Sequence, residues 1–207
     1  MTNIKFMSVL VLSSLTLAGA GLNVSMNAAF AQDQMRKMEN GPSTYKITSL
    51  DQLVLSKIHH ADMAEIKSAK LALQRSQSPE VKSVAHQIIK DHTDADVQVM
   101  EVAKADNIRL LVPLVPQNDA DKKAMAEHKS QMAALQKLHG GAFDTDYQKL
   151  MIAAHQRDIA ELTDAQPKLQ NENTRNLVAK LIPQFEHHEQ ILAQIDLTKD
   201  TKTANND

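Results

Sequence analysis

Cysteine is absent from the 207 residues of this chain, and its absence removes several classes of protein at once. A disulfide framework, a thiolate metal site, an iron–sulfur cluster, a cysteine nucleophile and a lipid-modified cysteine are all excluded. Any chemistry in this chain must therefore come from histidine, carboxylate and hydroxyl groups.

Residues typical of β-structure and of tight turns are also few. Aromatic residues make up 3% of the chain, which contains five glycines and six prolines. A β-rich fold needs aromatic and β-branched strands joined by many turn residues. Hydrophobic residues, at 43%, are nevertheless sufficient for a buried core. We therefore predict an all-α fold.

Neither sign of charge dominates the sequence. Its 23 basic and 25 acidic residues give a formal net charge of −2. This balance provides no general electrostatic attraction to nucleic acid or to an anionic membrane. We expect no nucleic-acid partner, while the protein partner and the oligomeric state stay open.

The first 31 residues have the pattern of an export signal. A short segment with one lysine precedes an apolar run over residues 6–22, and a small-x-small cleavage pattern follows at 29–31. The alternative is an uncleaved anchor helix, but hydroxyl residues interrupt the run and no basic cluster follows it. No later run reaches the ~20 apolar residues of a membrane-spanning helix. We predict cleavage after Ala31 and an exported protein, periplasmic and soluble.

The rest of the chain divides into three parts. We predict a flexible leader over residues 32–48, a helical domain over 49–197 and a disordered tail over 198–207. Within the domain, apolar periodicity and capping residues predict helices over 49–76, 79–106, 119–139, 143–166 and 174–197, with a turn at 170–173 before the last of them. Ser49 and Ser78 suit N-caps, and the pair Gly140-Gly141 suggests the end of the third helix.

Two of the predicted helices have an apolar stripe that is interrupted by a single histidine. The 3-4 spacing places His92 and His188 in these stripes, which otherwise consist of Val81, Ala85, Ile88, Ala95, Val99 and Val102 in one helix, and Val178, Leu181, Phe185, Leu192 and Ile195 in the other. Both histidines should therefore face the core. His187 is rotated by about 100° from its neighbour and should be solvated.

The other two long helices each have one inward polar residue as well. Glu65 lies among Ile58, Ala61, Ala69 and Ala72, and His155 lies among Met151, Ile159 and Leu162. Partners in an antiparallel hairpin are level when they are equally far from the turn. The midpoint between Glu65 and His92 falls at the predicted turn 78–79, and that between His155 and His188 falls at the predicted turn 171–172. Both pairs meet if these turns lie at opposite ends of the bundle, with the second and fourth helices parallel.

Glu65, His92, His155 and His188 would form a site of one carboxylate and three imidazoles. Such a site is suited to one transition-metal ion, Zn, Fe, Mn or Cu. The alternative is a Glu–His hydrogen-bond network that fixes the register of the bundle without metal. Asp96 and Asp158 are candidates to orient the rings or to add ligands.

Other motifs point away from several activities. No acidic residue precedes a histidine by three positions, so the Glu-x-x-His pairs of di-iron bundles are missing and the site should be mononuclear. His59-His60 with Asp62, and Glu186-His187, are weaker metal candidates at the surface. No phosphate loop, nucleophile elbow or H-E-x-x-H motif occurs, so no catalytic or organic-cofactor residue is predicted.

Several short motifs carry a resemblance to a known family. They include Met63-Ala64-Glu65, Asp91-His92-Thr93, His155-Gln156 and Ile182-Pro183 ahead of His188. In order and spacing they resemble the exported bacterial family called domain of unknown function 4142, over about residues 50–195. The resemblance implies a ferritin-like four-helix bundle, here with an additional crossover helix, whose recurrent polar positions are Glu65, His92, His155 and His188. His59 and His60 depart from the small residues usual there.

Three functions stay open at this point. The first is an envelope protein that buffers or senses a transition metal. The second is a structural or stress-linked interaction protein of the cell envelope, whose inner network only specifies the fold. The third is a mononuclear-metal oxidoreductase, which would need an open coordination position and a path for substrate.

Overall fold

The structure is a computed structural model that describes residues 47–197. The predictions for the export signal, for most of the leader and for the tail concern residues outside this range. The described part contains five α-helices and no strand: α1 (Leu50–Arg75), α2 (Pro79–Ala105), α3 (Asp119–Leu135), α4 (Gly140–Ala165) and α5 (Glu172–Ala193), with a 3₁₀ turn at Gln166–Lys168 between α4 and α5. The all-α prediction is confirmed.

Local sequence accounts for where the long helices begin. The side chain of Ser49 accepts a hydrogen bond from the backbone N–H of Gln52 at the start of α1. Ser78 does the same for Val81, with Pro79 as the first residue of α2. Both caps satisfy backbone donors that have no partner within the helix, as the sequence predicted.

The glycine pair between α3 and α4 was assigned to the wrong helix. Helix α3 ends at Leu135, four residues before the predicted end, and Gly140 begins α4. Gly140 has φ of +55°, in the left-handed region that glycine enters without steric cost. This conformation lets the chain change direction after residues 136–139, so the pair opens a helix instead of closing one.

The four long helices form two antiparallel hairpins that pack side by side. Helix α1 pairs with α2 and α4 pairs with α5, while α1 also packs on α4 and α2 on α5. The first turns of α2 and of α4 share one apolar cluster, so these two helices run parallel. Helix α3 belongs to the crossing that this topology requires and packs on α4. The predicted four-helix bundle with a crossover helix is confirmed.

The apolar core consists of two clusters. One lies toward the 3₁₀ turn and contains residues from the start of α1, the end of α2, the end of α4 and the start of α5, including Leu55, Val99, Leu162, Val178 and Phe185. The other lies toward the turn between α1 and α2 and includes Ala72, Ile88, Phe143, Tyr147 and Leu192. The middle of each long helix therefore lies between two apolar regions.

The connection that follows α2 is tied to α1 by three hydrogen bonds. Ser56 Oγ accepts from the backbone N–H of Leu111 at 2.8 Å, and Gln52 Nε2 donates to the carbonyl of Arg109 at 2.7 Å. His60 Nε2 donates to the carbonyl of Leu111 at 3.0 Å. These bonds fix the start of the long crossing. No helix within residues 47–197 is both long enough and apolar enough to cross a membrane.

Candidate metal centre

Glu65, His92, His155 and His188 converge between the two apolar clusters. They come from α1, α2, α4 and α5 respectively, and all four are buried. Glu65 Oε2 lies 2.8 Å from His92 Nε2 and 3.2 Å from His155 Nε2. His155 Nε2 lies 3.2 Å from His188 Nδ1. The structure thus brings together the four side chains that the stripes selected.

Each of the three imidazoles contacts an oxygen on its outer side. His92 Nδ1 lies 2.7 Å from Asp62 Oδ1, and His188 Nε2 lies 3.0 Å from Asp91 Oδ2. His155 Nδ1 lies 2.9 Å from the backbone carbonyl of Met151. A carbonyl or an ionised carboxylate only accepts hydrogen bonds, so the outer nitrogen of each ring is the donor. The other nitrogen of each ring faces the centre, where one nitrogen from each histidine lies within 4.8 Å of the others.

The charges around His92 differ from those around the other two rings. Burial disfavours the charged form of His92, but Glu65 and Asp62 outweigh it and raise its pKa to about 10. Burial lowers the pKa of His155, and it lowers that of His188 to about 4. In the absence of metal, His92 is therefore an imidazolium beside two neutral rings.

The carboxylates respond to the same neighbours. Burial acts to raise the pKa of Glu65, yet the attraction of His92 and then of His155 lowers it below its usual value. Burial raises the pKa of Asp62 to about 6, even though its hydrogen bond to His92 acts in the opposite direction. At neutral pH both groups are mainly ionised and favour a positive charge at the centre.

The donor atoms fit a transition-metal ion. Glu65 Oε2 and His92 Nε2 are buried and close together, but they are not aligned for a hydrogen bond. The inner nitrogens of two neutral rings, His155 and His188, face each other at 3.2 Å, an arrangement that a shared cation would stabilise. Ligands about 2.0–2.1 Å from a tetrahedral zinc ion lie roughly 3.3 Å apart, close to the 3.2 Å that separates His155 Nε2 from Glu65 Oε2 and from His188 Nδ1.

The apolar stripes in the sequence did not select two carboxylates that orient the rings, Asp62 and Asp91. Asp62, 0% exposed, was taken for a surface residue beside His59 and His60, but it contacts His92. A stripe of Ile58, Asp62, Glu65, Ala69 and Ala72 has helical spacing equal to the one chosen with Ala61, so the signal was present. Asp91 gave no comparable signal, because it lies half-buried at the edge of its helix face.

The two carboxylates that were predicted to orient the rings do not contact them. Asp96 Oδ1 lies 2.5 Å from His59 Nδ1, and Asp158 Oδ1 accepts from Arg157 at 3.0 Å. Neither carboxylate orients a ring, because each is bonded to another basic side chain. His187 and Glu186 are exposed. Among residues 47–197, the three buried histidines are the only group of three or more donors close enough for one ion.

A four-helix bundle with histidines and carboxylates at mid-height defines the structural class of this protein. The sequence profile described as Domain of unknown function (DUF4142) matches residues 36–195, and the chain belongs to that family. No curated protein is significantly similar to it in sequence.

Solved structures share the fold. One is CopM in the Cu(I)-bound form, with 19% identity and a TM-score of 0.55, covering 70% of this chain and 93% of that one. CopM in the Ag-bound form has 20% identity and a TM-score of 0.54, covering 70% and 93%. A DUF305 protein from Streptomyces coelicolor, described as secreted, has 13% identity and a TM-score of 0.58, covering 70% and 90%. At these identities the similarity concerns the fold alone.

Proposed function

We propose that this chain is an exported protein that binds one transition-metal ion through Glu65, His92, His155 and His188, and that it buffers or senses metal in the cell envelope. The observation that supports this most strongly is the orientation of the three rings. Each ring has an acceptor oxygen on its outer side, so that one nitrogen per ring is directed at a common centre. Outer partners of this kind are typical of metal-binding histidines.

The donor set favours certain ions. Three imidazole nitrogens and one carboxylate oxygen suit Zn²⁺ and Cu²⁺ best, with Fe²⁺ and Mn²⁺ as weaker alternatives. Cu(I) and silver prefer sulfur ligands, and this set contains none. The fold neighbour CopM was solved with Cu(I), Cu(II) and silver, which supports the view that a bundle of this shape accommodates such ions.

The burial of the site favours holding an ion over catalysis. A catalytic metal usually keeps one coordination position for water or substrate, whereas a closed set of four protein ligands leaves none. His92 and His155 are 1% exposed and His188 is 0% exposed. A buffer or a sensor needs only binding and release, and both are compatible with this geometry.

A second candidate function is supported by the charge state of His92. With a pKa of about 10, its imidazolium compensates Glu65 and Asp62 without any metal. The four residues would then be a proton-containing network that fixes the register of the helices, and the protein would act through a partner at its outer surface. This candidate predicts a stable, metal-free protein.

Metal content distinguishes the two functions. The full chain would be expressed with export, purified from the envelope without an affinity tag and analysed by elemental mass spectrometry. We expect close to one Zn or Cu per chain, lost in His188→Ala and retained in the adjacent control His187→Ala. Circular dichroism checks that both variants are folded. Metal-free protein that also fails to bind added Zn²⁺ or Cu²⁺ would favour the network.

A further inference from the structure

A cavity of about 210 Å³ lies beside the candidate metal centre, between α1 and α4. Most of its lining is apolar and includes Leu53, Val54, Ile58, Leu162 and Ala165. Phe185 of α5 also lines it. The cavity borders the two helices that carry Glu65 and His155, so it approaches the centre from one side of the bundle.

Phe185 separates this cavity from the histidines. Its ring stacks on that of His92, with centroids 5.2 Å apart and planes at 24°. It also meets His155 edge to face, at 5.9 Å and 80°. Phe185 is 2% exposed, so the same ring forms a wall of the cavity and covers two of the candidate ligands.

The charged residues that line the cavity are mainly acidic. Three carboxylates, Asp158, Glu161 and Asp164, line it together with one cation, Lys57. All three are paired: Glu161 lies 2.8 Å from Lys57 Nζ, Asp164 lies 2.7 Å from Lys168 Nζ, and Asp158 Oδ1 lies 3.0 Å from Arg157 Nη2. Asp158 differs from the other two because its second oxygen is buried and has no hydrogen-bond partner within the described residues.

The two oxygens of Asp158 differ in their hydrogen bonding. Its Oδ1 accepts from Arg157 at 3.0 Å. Its Oδ2 is buried and has no hydrogen-bond partner within residues 47–197. Burial also raises the pKa of this carboxyl to about 7, against the opposing effect of Arg157. A buried carboxylate oxygen without a partner is costly, and a bound cation would offset that cost.

We propose that this cavity is the path by which the metal ion reaches its buried site, with Asp158 as the first ligand it meets and Phe185 as the gate. The proposal rests on the proposed function, since it concerns loading of the same site. An ion held at Asp158 reaches His92 and His155 when the ring of Phe185 turns aside. The ring carries no charge, so its movement breaks no ion pair.

The other partly exposed edge of the centre is less suitable as a path. Asp91, whose side chain is 21% exposed, lies behind His188. There the ring presents its outer N–H, which donates to Asp91 Oδ2 at 3.0 Å. An arriving cation would meet a donor hydrogen instead of a lone pair.

Rapid-mixing kinetics with Zn²⁺ and a chromophoric chelator tests the gate on the full chain. We expect Phe185→Leu to increase both the uptake rate and the release rate by about tenfold, and to change Kd much less than either rate. Phe143→Leu is the matched control, because Phe143 is equally buried but stacks on Tyr147 in the other cluster. Equal acceleration in both variants would overturn the gate and indicate general loosening of the core.

A second pair of variants tests the role of the carboxylates that line the cavity. Asp158→Asn should slow Zn²⁺ uptake by about tenfold, since it removes the carboxylate that would bind the arriving ion. Asp164→Asn, on the same lining but with both carboxylate oxygens bonded to Lys168, should have little effect. Equal slowing, or none, would exclude Asp158 as the first ligand.

A third variant keeps the path testable if Phe185→Leu does not fold. Ala165→Leu fills the cavity and should slow both rates in a protein whose core is otherwise intact, and unchanged rates would overturn the path. The two proposals fail differently. If the unmodified chain takes up no Zn²⁺ at all, the proposed function fails together with the path. If it binds Zn²⁺ but the variants match their controls, only the path fails.

Discussion

Asp62 shows how a single buried carboxylate controls a neighbouring ring. Its hydrogen bond to His92 Nδ1, 2.7 Å long, directs His92 Nε2 toward the centre. Asp62→Ala should therefore weaken Zn²⁺ binding by about 10- to 100-fold, as is typical when the outer partner of a metal-binding histidine is lost. A competition titration measures the effect. Asp96→Ala is the control, because Asp96 contacts His59 and no candidate ligand. Equal losses in both variants would contradict the assignment.

The pKa of His92 predicts how the metal-free protein responds to alkali. The folded state holds the proton of His92 up to a pKa of about 10, against 6.5 for an ordinary histidine. The resulting stabilisation is complete below pH 6.5 and is lost as the pH rises through 10. The free energy of unfolding in urea should therefore fall between about pH 7 and 10. It should fall less steeply in His92→Gln, and identical slopes would show that His92 is neutral in the folded protein.

At the residue scale, the sequence was informative where a polar residue interrupts an apolar stripe. His92 and His188 are each the single polar residue in an otherwise apolar stripe, so their inward direction could be predicted. Asp62 was harder, because Ala61 and Asp62 fit the spacing equally well and the adjacent histidines suggested a surface. Which carboxylate reaches which ring depends on small rotations of the helices, and these are fixed by packing between helices.

At the element scale, the crossing between the two hairpins depends on a few hydrogen bonds to α1. Ser56, which is 0% exposed, accepts from the N–H of Leu111. Ser56→Ala would leave this donor without a partner and should lower the free energy of unfolding by about 1–3 kcal/mol.

Urea unfolding measures this loss, with Ser68→Ala as the control. Ser68 is 1% exposed, but its hydroxyl donates to Ala64 of its own helix and to the sulfur of Met132. Removing this hydroxyl leaves no backbone donor without a partner, so the free energy of unfolding should fall less than in Ser56→Ala. A loss as large as that of Ser56→Ala would mean that burial alone explains both.

Turns were predictable where the capping chemistry allows one interpretation. Ser78 followed by Pro79 can only begin a helix in this context, and the turn lies there. The pair Gly140-Gly141 allowed two interpretations, since a positive φ suits both the end of one helix and the approach to the next. The structure selects the second, because His139 is the N-cap residue of α4.

At the scale of the whole molecule, the candidate centre joins all four long helices. An ion bound there would stabilise the folded chain by about 2.7 kcal/mol at a free concentration of 100 Kd. For a domain of this size the melting temperature should rise by roughly 5–10 °C. Differential scanning fluorimetry with Zn²⁺ measures the shift. The variant His188→Ala should show none, and an equal rise in it would place the ion elsewhere.

The overall topology followed from one requirement. Two pairs of inward residues meet only if the hairpin turns lie at opposite ends, and this makes α2 and α4 parallel. The position of α3 could not be predicted in the same way. Only Met132 and Leu135 are buried in that helix, so its sequence has too narrow an apolar face to define where it packs.

X-ray absorption spectroscopy of the Zn²⁺-loaded chain identifies the ligands of the bound ion. We expect four nitrogen or oxygen neighbours at about 2.0–2.1 Å, with the outer-shell scattering of three imidazole rings. The His188→Ala variant should lose one of these rings or fail to load. A shell of water oxygens, a sulfur neighbour at about 2.3 Å, or less than one tightly bound ion per chain would contradict a centre made by Glu65, His92, His155 and His188.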